Sequence, residues 1–187
     1  LFFFLYQAKG IYTNWLWFES LGFRQVFSTI LVLKIWLFFA GFFIFLALIS
    51  VNVYAVYRAN VGESTIPISE DLLKLTRIGV IVAMVAGSAI TSVIFGAIAS
   101  SHWETFLVFF NRVDFGVTDP QFGKDISFYT TVLPMLQFLQ SWIMGAIISI
   151  LVATIAVCML IHTIRGLPFS ITRRFLIHLS ILGALLM

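Results

Sequence analysis

The sequence predicts an all-α, polytopic transmembrane helix bundle: three complete spans, two truncated helices, and interfacial helices on the outer face. Ile35–Val56 runs for 22 residues without a charge, and at about 1.5 Å per residue such a helix crosses the hydrocarbon layer of a bilayer, about 30 Å thick. Comparable runs occupy Ile78–Ala99 and Trp142–Ile164. Composition agrees: 61% of the 187 residues are hydrophobic and 10% charged, outside the range of soluble domains.

The elements follow in order. Leu1–Tyr6 reads as the last turns of a helix already under way, so residues 1–8 form a truncated helix. In the connection 9–25, Ile11, Trp15, Phe18 and Leu21 recur at helical spacing, as an interfacial helix requires. The first complete span covers 26–57. In the loop 58–74, Gly62 and Pro67 break the chain, and Ser69 precedes Glu70 and Asp71, a helix start with acids at the positive end of the dipole. The second span covers 75–99. The connection 100–140 follows, with Trp103, Phe106 and Phe110 at helical spacing and a helix interrupted or started at Pro134. The third span, 141–164, ends in a turn at 165–171, where Gly166 suits a C-cap and Pro168 forbids continuation. Residues 172–187 begin another helix, too short to span as given. The chain reads as an internal piece of a longer polypeptide, making up a partial bundle over 1–187.

Orientation rests on basic residues. Arg58, Lys74, Arg77, Arg165, Arg173 and Arg174 fall on one side; Lys9, Arg24, Arg112 and Lys124 fall on the other, which Lys34 can reach by snorkelling. This places loops 58–74 and 165–171 in the cytoplasm and segments 9–25 and 100–140 outside. Trp15, Trp17, Trp36, Trp103 and Trp142 all map to that outer side. Either the outer segments lie flat among headgroups, or they pack together as a cap.

Small residues recur every four positions in two rows of the second span. One holds Ser88, Ser92, Gly96 and Ser100; the other holds Gly79, Ala83, Gly87 and Thr91. Gly145, Ser149 and Ala153 repeat the pattern in the third. Such rows let helix backbones approach closely where lipid offers no hydrophobic drive, so spans 75–99 and 141–164 are expected to pack together. The phenylalanine-rich span 26–57 is expected to face lipid or another subunit.

The chemistry-bearing residues form no familiar constellation. Asn111–Asp125 carries Phe-Gly twice, with Asp114, Asp119 and Asp125 interleaved. The spacing does not match an EF-hand and reads as a structured turn. In it, Asp119-Pro120 initiates a turn, and Gly116 and Gly123 supply positive φ. His102, His162 and His178 lack zinc-site companions, and Cys158 has no partner for an intrachain disulfide. No nucleophile triad, phosphate loop or HExxH motif occurs, and the span midpoints lack Asp, Glu, Lys, Arg and His. Carriers and proton relays usually need such residues there.

Tyr12–Phe23 (YTNWLWFESLGF) and Phe115–Tyr129 (FGVTDPQFGKDISFY), followed by Leu133-Pro134, resemble the bacterial membrane proteins of uncharacterised protein family 0182. The resemblance implies a bacterial membrane location and a bundle of about seven helices preceding a large extracytoplasmic portion. It carries no catalytic role to any residue. The expectation is a non-enzymatic structural or accessory subunit of a larger membrane assembly. Its partners are the lipid bilayer and other membrane subunits, and nucleic acid is not among them. Catalytic, metal and resident cofactor sites are not expected. Two other readings stay open: part of a transporter or channel completed by missing helices, or a subunit binding chlorophyll or haem through His162 or His178.

Overall fold

The computed structural model describes residues 2–60 and 70–165, together with residues 180 and 184. Five α-helices account for nearly all of it: α1 (Phe2–Ser20), α2 (Arg24–Asn60), α3 (Glu70–Ser101), α4 (Trp103–Phe110) and α5 (Leu133–Arg165). A single π-helical turn, Phe128–Val132, leads into α5. Among the described residues there is no strand, only an isolated antiparallel bridge between Thr118 and Asp125. Arg24–Arg58, Lys74–Ser101 and Phe128–Ile161 are long and apolar enough to cross a membrane, as the hydrophobic runs require.

Two boundaries move relative to expectation. Residues 9–25 are not a connection after a truncated helix, because α1 continues through Lys9 and Gly10 to Ser20. One exposed glycine costs a helix about 1 kcal/mol, too little to break it, and the Thr13 hydroxyl donates to the Lys9 carbonyl at 2.8 Å across that point. Likewise, the third long helix starts well before residue 141. The Leu133 N–H donates to the Phe128 carbonyl, one residue wider than an α-turn. Pro134, which has no N–H to donate, is the second residue of α5 and follows directly on this widened turn.

Helix α2 is the axis of the bundle: most of its surface is exposed, in keeping with the expectation that it faces lipid or another subunit, and one face packs on its neighbours. It packs most extensively against α3, then α5, while α3 and α5 touch each other less. Its Phe45 is fully buried, with Ile49 2% exposed, and Phe45 stacks on Phe95 of α3 at 3.9 Å between ring centroids and 4° between planes. The close approach is made by Gly41 on α2 and Gly96 on α3. A Cβ at Gly96 would lie 2.7 Å from the Phe38 carbonyl oxygen, and one at Gly41 would lie 2.8 Å from the Ala99 Cβ. Van der Waals contact must hold helices together in lipid, and two facing glycines supply it. Much of the rest of α2 is exposed, Trp36 at 71%.

The small-residue rows of α3 therefore diverge. Ser88, Ser92 and Gly96 turn inward, and Ser92 is fully buried with its hydroxyl on the Ser88 carbonyl at 2.6 Å. Gly79, Ala83 and Gly87 are exposed, and a Cβ at Gly79 or Gly87 would meet nothing within 4 Å. On α5, a Cβ at Gly145 would lie 3.7 Å from the Phe95 ring. Ser149 and Ala153 are only half-buried.

Candidate functional site

Two regions gather the residues singled out by sequence: the end of the bundle bearing the 21–23 and 111–127 connections, and the flank between α3 and α5. At the first, α1 docks on the start of α2. Trp15 meets Phe27 edge-on at 5.9 Å, and Phe18 meets it at 5.4 Å. The Trp15 indole N–H donates to Glu19 at 3.2 Å, and the Arg24 guanidinium covers the Trp15 ring at 4.7 Å. Nearby, Lys34 sits 5.2 Å above the Trp103 ring. A cation over an aromatic face retains part of its electrostatic compensation when desolvated, which suits a lysine placed inside a spanning helix. Helix α1 packs on α2, while α4 packs equally on α2, on α5 and on the π-helical turn before α5.

The five tryptophans divide by role. Trp17 and Trp36 are exposed, as membrane anchors would be. Trp142 is an internal bolt: it meets Phe95 edge-on at 5.4 Å, and its indole N–H donates to the Phe95 carbonyl at 3.3 Å. Trp15 and Trp103 are partly buried under their cations.

The 111–127 segment is a structured turn built on two carboxylates. Asp125 accepts the Ser127 N–H at 2.7 Å, the Gly116 N–H at 2.9 Å and the Phe115 N–H at 3.1 Å. It therefore caps the helical start of the third span while clamping the far strand of the turn. The hydrogen bonds of Ser127, side chain and then backbone, outweigh desolvation and, with the Phe115 and Gly116 amides, hold the Asp125 carboxyl down at about 2. The Ser127 hydroxyl also reaches Asp114, at 3.3 Å.

Asp119 accepts the Phe122 N–H at 2.9 Å and the Tyr129 hydroxyl at 3.0 Å. The Phe122 amide is the main reason its carboxyl lies below the usual range, with Tyr129 adding to the effect. Gly116 (φ 73°) and Gly123 (φ 62°) take the left-handed backbone that the sequence assigned to them. These carboxylates are spent on backbone amides, as an Asx-type turn spends them. Among the described residues, no three of His, Cys, Asp and Glu converge as a metal site would require.

On the flank, α3 and α5 meet at Phe95 and stand apart beyond it, leaving an apolar groove of about 560 Å³. Ala83, Gly87 and Thr91 of α3 look across it at Ser149, Ala153 and Ala156 of α5, and Ile49 and Val53 of α2 close its base. The rows expected to interlock instead form opposite walls. Gly41 and Phe45 were not singled out from sequence. A lone glycine among phenylalanines offers no repeat to find, and a buried phenylalanine reads like a lipid-facing one. The His102 ring packs on Phe138 at 4.5 Å and sits 2.9 Å from the Ile98 carbonyl. The His162 side chain and the whole of His178 lie outside the described residues.

The match to known sequences covers the same ground. The model of the uncharacterised protein family UPF0182 matches residues 1–187. The chain belongs to family UPF0182. A UPF0182 protein of Kineococcus radiotolerans is 35% identical over 178 residues, covering 90% of this chain and 17% of that protein. One from Rhodococcus erythropolis is 34% identical over 156 residues, covering 79% and 15%. One from Streptomyces coelicolor is 33% identical over 148 residues, covering 77% and 15%. The chain thus spans less than a fifth of the length of these UPF0182 relatives. No solved structure matches it.

Proposed function

We propose that this chain is a non-catalytic structural module of a bacterial membrane protein, an accessory part of a larger membrane assembly. The observation that carries the proposal is how the three long helices are joined. Phe45, Phe95 and Trp142 pack against one another, and Gly41 and Gly96 bring α2 and α3 into backbone contact. The described polar groups nearest that level, Ser92 and Trp142, are turned onto backbone carbonyls. A tightly packed, apolar joint suits a part that holds its neighbours in place. In the orientation we propose, 58–74 and 165–171 face the cytoplasm and the 111–127 turn faces outward, following the excess of Lys and Arg at the former. The partners of the module are lipid and other membrane polypeptides, and it needs no resident cofactor.

The test is purification of the full-length family member from its own membrane in mild detergent, followed by mass spectrometry of whatever accompanies it. The expected result is a defined set of membrane polypeptides in constant ratio. A monodisperse single species without companions overturns the accessory role.

A further inference from the structure

We infer that the pocket between α4 and the π-helical turn binds the headgroup phosphate of an anionic phospholipid, with Arg112 as its cation. The pocket holds about 590 Å³ and is walled by Leu107, Val108, Val113 and Phe115, with Arg112 and Thr131 in its polar lining. Its polar groups are unequally committed. The Thr131 hydroxyl donates to the Ser127 carbonyl at 2.6 Å, and the Asn111 side-chain amide donates to the Leu107 carbonyl at 2.8 Å. The Arg112 guanidinium is exposed, lies 5.9 Å from the Phe109 ring, and has no described carboxylate within ion-pair reach. Its fork of N–H donors matches two oxygens of a phosphate. The charges of the turn point the same way. Asp119 and Asp125 are spent on amides and Asp114 receives the Ser127 hydroxyl, whereas Arg112 and Lys124 lie over aromatic rings. The assignment is independent of the structural role proposed above.

The height of the pocket along the bundle selects a lipid as the source of that phosphate. Lys34 closes the charge-free run 35–57 of α2 and lies over Trp103, the first residue of α4, which marks the edge of the hydrocarbon. Leu107 is four residues beyond Trp103, about 6 Å along the helix axis, and the headgroup layer is about 5–7 Å deep on each side. On the facing helix, Phe138 packs on His102 and Phe106 at that same edge. Thr131 is seven residues further out, about 10 Å. The pocket therefore extends from within the headgroup layer to its outer surface, and an arginine there can bend its stem back toward the phosphates. Its rim is apolar, with Val113 72% and Phe115 57% exposed, surface that the glycerol end of a lipid covers better than water does.

The experiment takes the full-length protein, reconstituted into vesicles of phosphatidylglycerol and phosphatidylcholine in equal parts, extracts it in mild detergent and weighs it by native mass spectrometry. The expected result is one phospholipid per chain, predominantly phosphatidylglycerol, that the parent retains and Arg112→Gln does not. Hydrogen bonds to a charged group are strong enough that retention should fall about tenfold or more. Arg112 is exposed, so its replacement leaves the fold intact. Lys124→Gln removes a charge from the same turn but outside the pocket, and should keep the lipid. Equal loss from both variants, equal retention by the parent and Arg112→Gln, or indifference between the two lipids overturns the site. Glycerol phosphate added to the extracted complex is the last arm: a lipid that stays bound supports the assignment, and its displacement reveals a site for soluble phosphate compounds and overturns it.

Discussion

Three glycines, two on α3 and one on α5, receive the same substitution with different outcomes, and the difference measures the α2–α3 contact. An alanine at position 96 puts a methyl carbon 2.7 Å from the Phe38 carbonyl oxygen and 3.1 Å from the Phe42 Cβ. The oxygen belongs to backbone and cannot swing aside. Ordinary contact begins at 3.4 Å, so the helices must part locally by about 0.7 Å. A gap of that size forfeits about a quarter to a half of each dispersion contact it opens, here including the Phe45–Phe95 stack one residue away. Overpacking of this kind costs about 1–3 kcal/mol; at about 2 kcal/mol the folded-to-unfolded ratio falls about thirtyfold. Gly79→Ala has open space and should be neutral or slightly stabilising through helix propensity. At Gly145 the Phe95 ring is already at ordinary contact distance, 3.7 Å, and alanine should cost little. The assay is reversible unfolding in mixed micelles, followed by tryptophan fluorescence. Should Gly96→Ala unfold with the parent, or Gly79→Ala lose as much as Gly96→Ala, the glycine contact is not what holds α2 to α3.

Further expectations concern single hydrogen bonds. The Asp125 carboxyl is depressed to about 2 in the fold, against about 3.9 when unstructured. Its contribution is therefore complete above about pH 4 and disappears as pH falls through about 2. Amide resonances of Phe115, Gly116 and Ser127 should titrate together near pH 2, and Asp125→Asn should abolish that titration; a midpoint near 4 refutes the clamp. Trp142→Phe keeps an edge-on ring but removes the donor to the Phe95 carbonyl, so a loss of about 1 kcal/mol is expected, and an unchanged unfolding curve removes the bond from consideration. Thr154 is fully buried and its hydroxyl has no hydrogen-bond partner. Thr154→Val should leave stability equal or higher, whereas a loss above about 1 kcal/mol would reveal a partner.

What the sequence made legible follows from what governs each feature. Crossing lipid is a matter of length and apolarity, both one-dimensional, so the three long helices could be read directly. The 111–127 turn was legible because Asp and Gly act on neighbouring backbone: Asp119 on Phe122, Asp125 on Ser127. Helix pairing was not. In lipid, a buried apolar side chain and an exposed one are equally apolar, so Phe45, fully buried, and Phe43, 59% exposed, look alike in the sequence. The rotation of α3 decides which small row meets α2, and nothing in the spacing of Ser88, Ser92 and Gly96 distinguishes it from that of Gly79, Ala83 and Gly87. The continuity of α1 through Gly10 was misjudged because a glycine that merely weakens a helix resembles one that ends it.

Helix α2 has 37 residues, a rod about 55 Å long. Tilted by about 40°, the steepest angle common among spanning helices, it still reaches about 42 Å along the normal, some 12 Å more than the hydrocarbon thickness. It must stand proud of the lipid like a mast. A thinner or thicker membrane changes how far it projects rather than whether it crosses, and because α1, α3, α4 and α5 are all stepped onto it, the rigging moves with it.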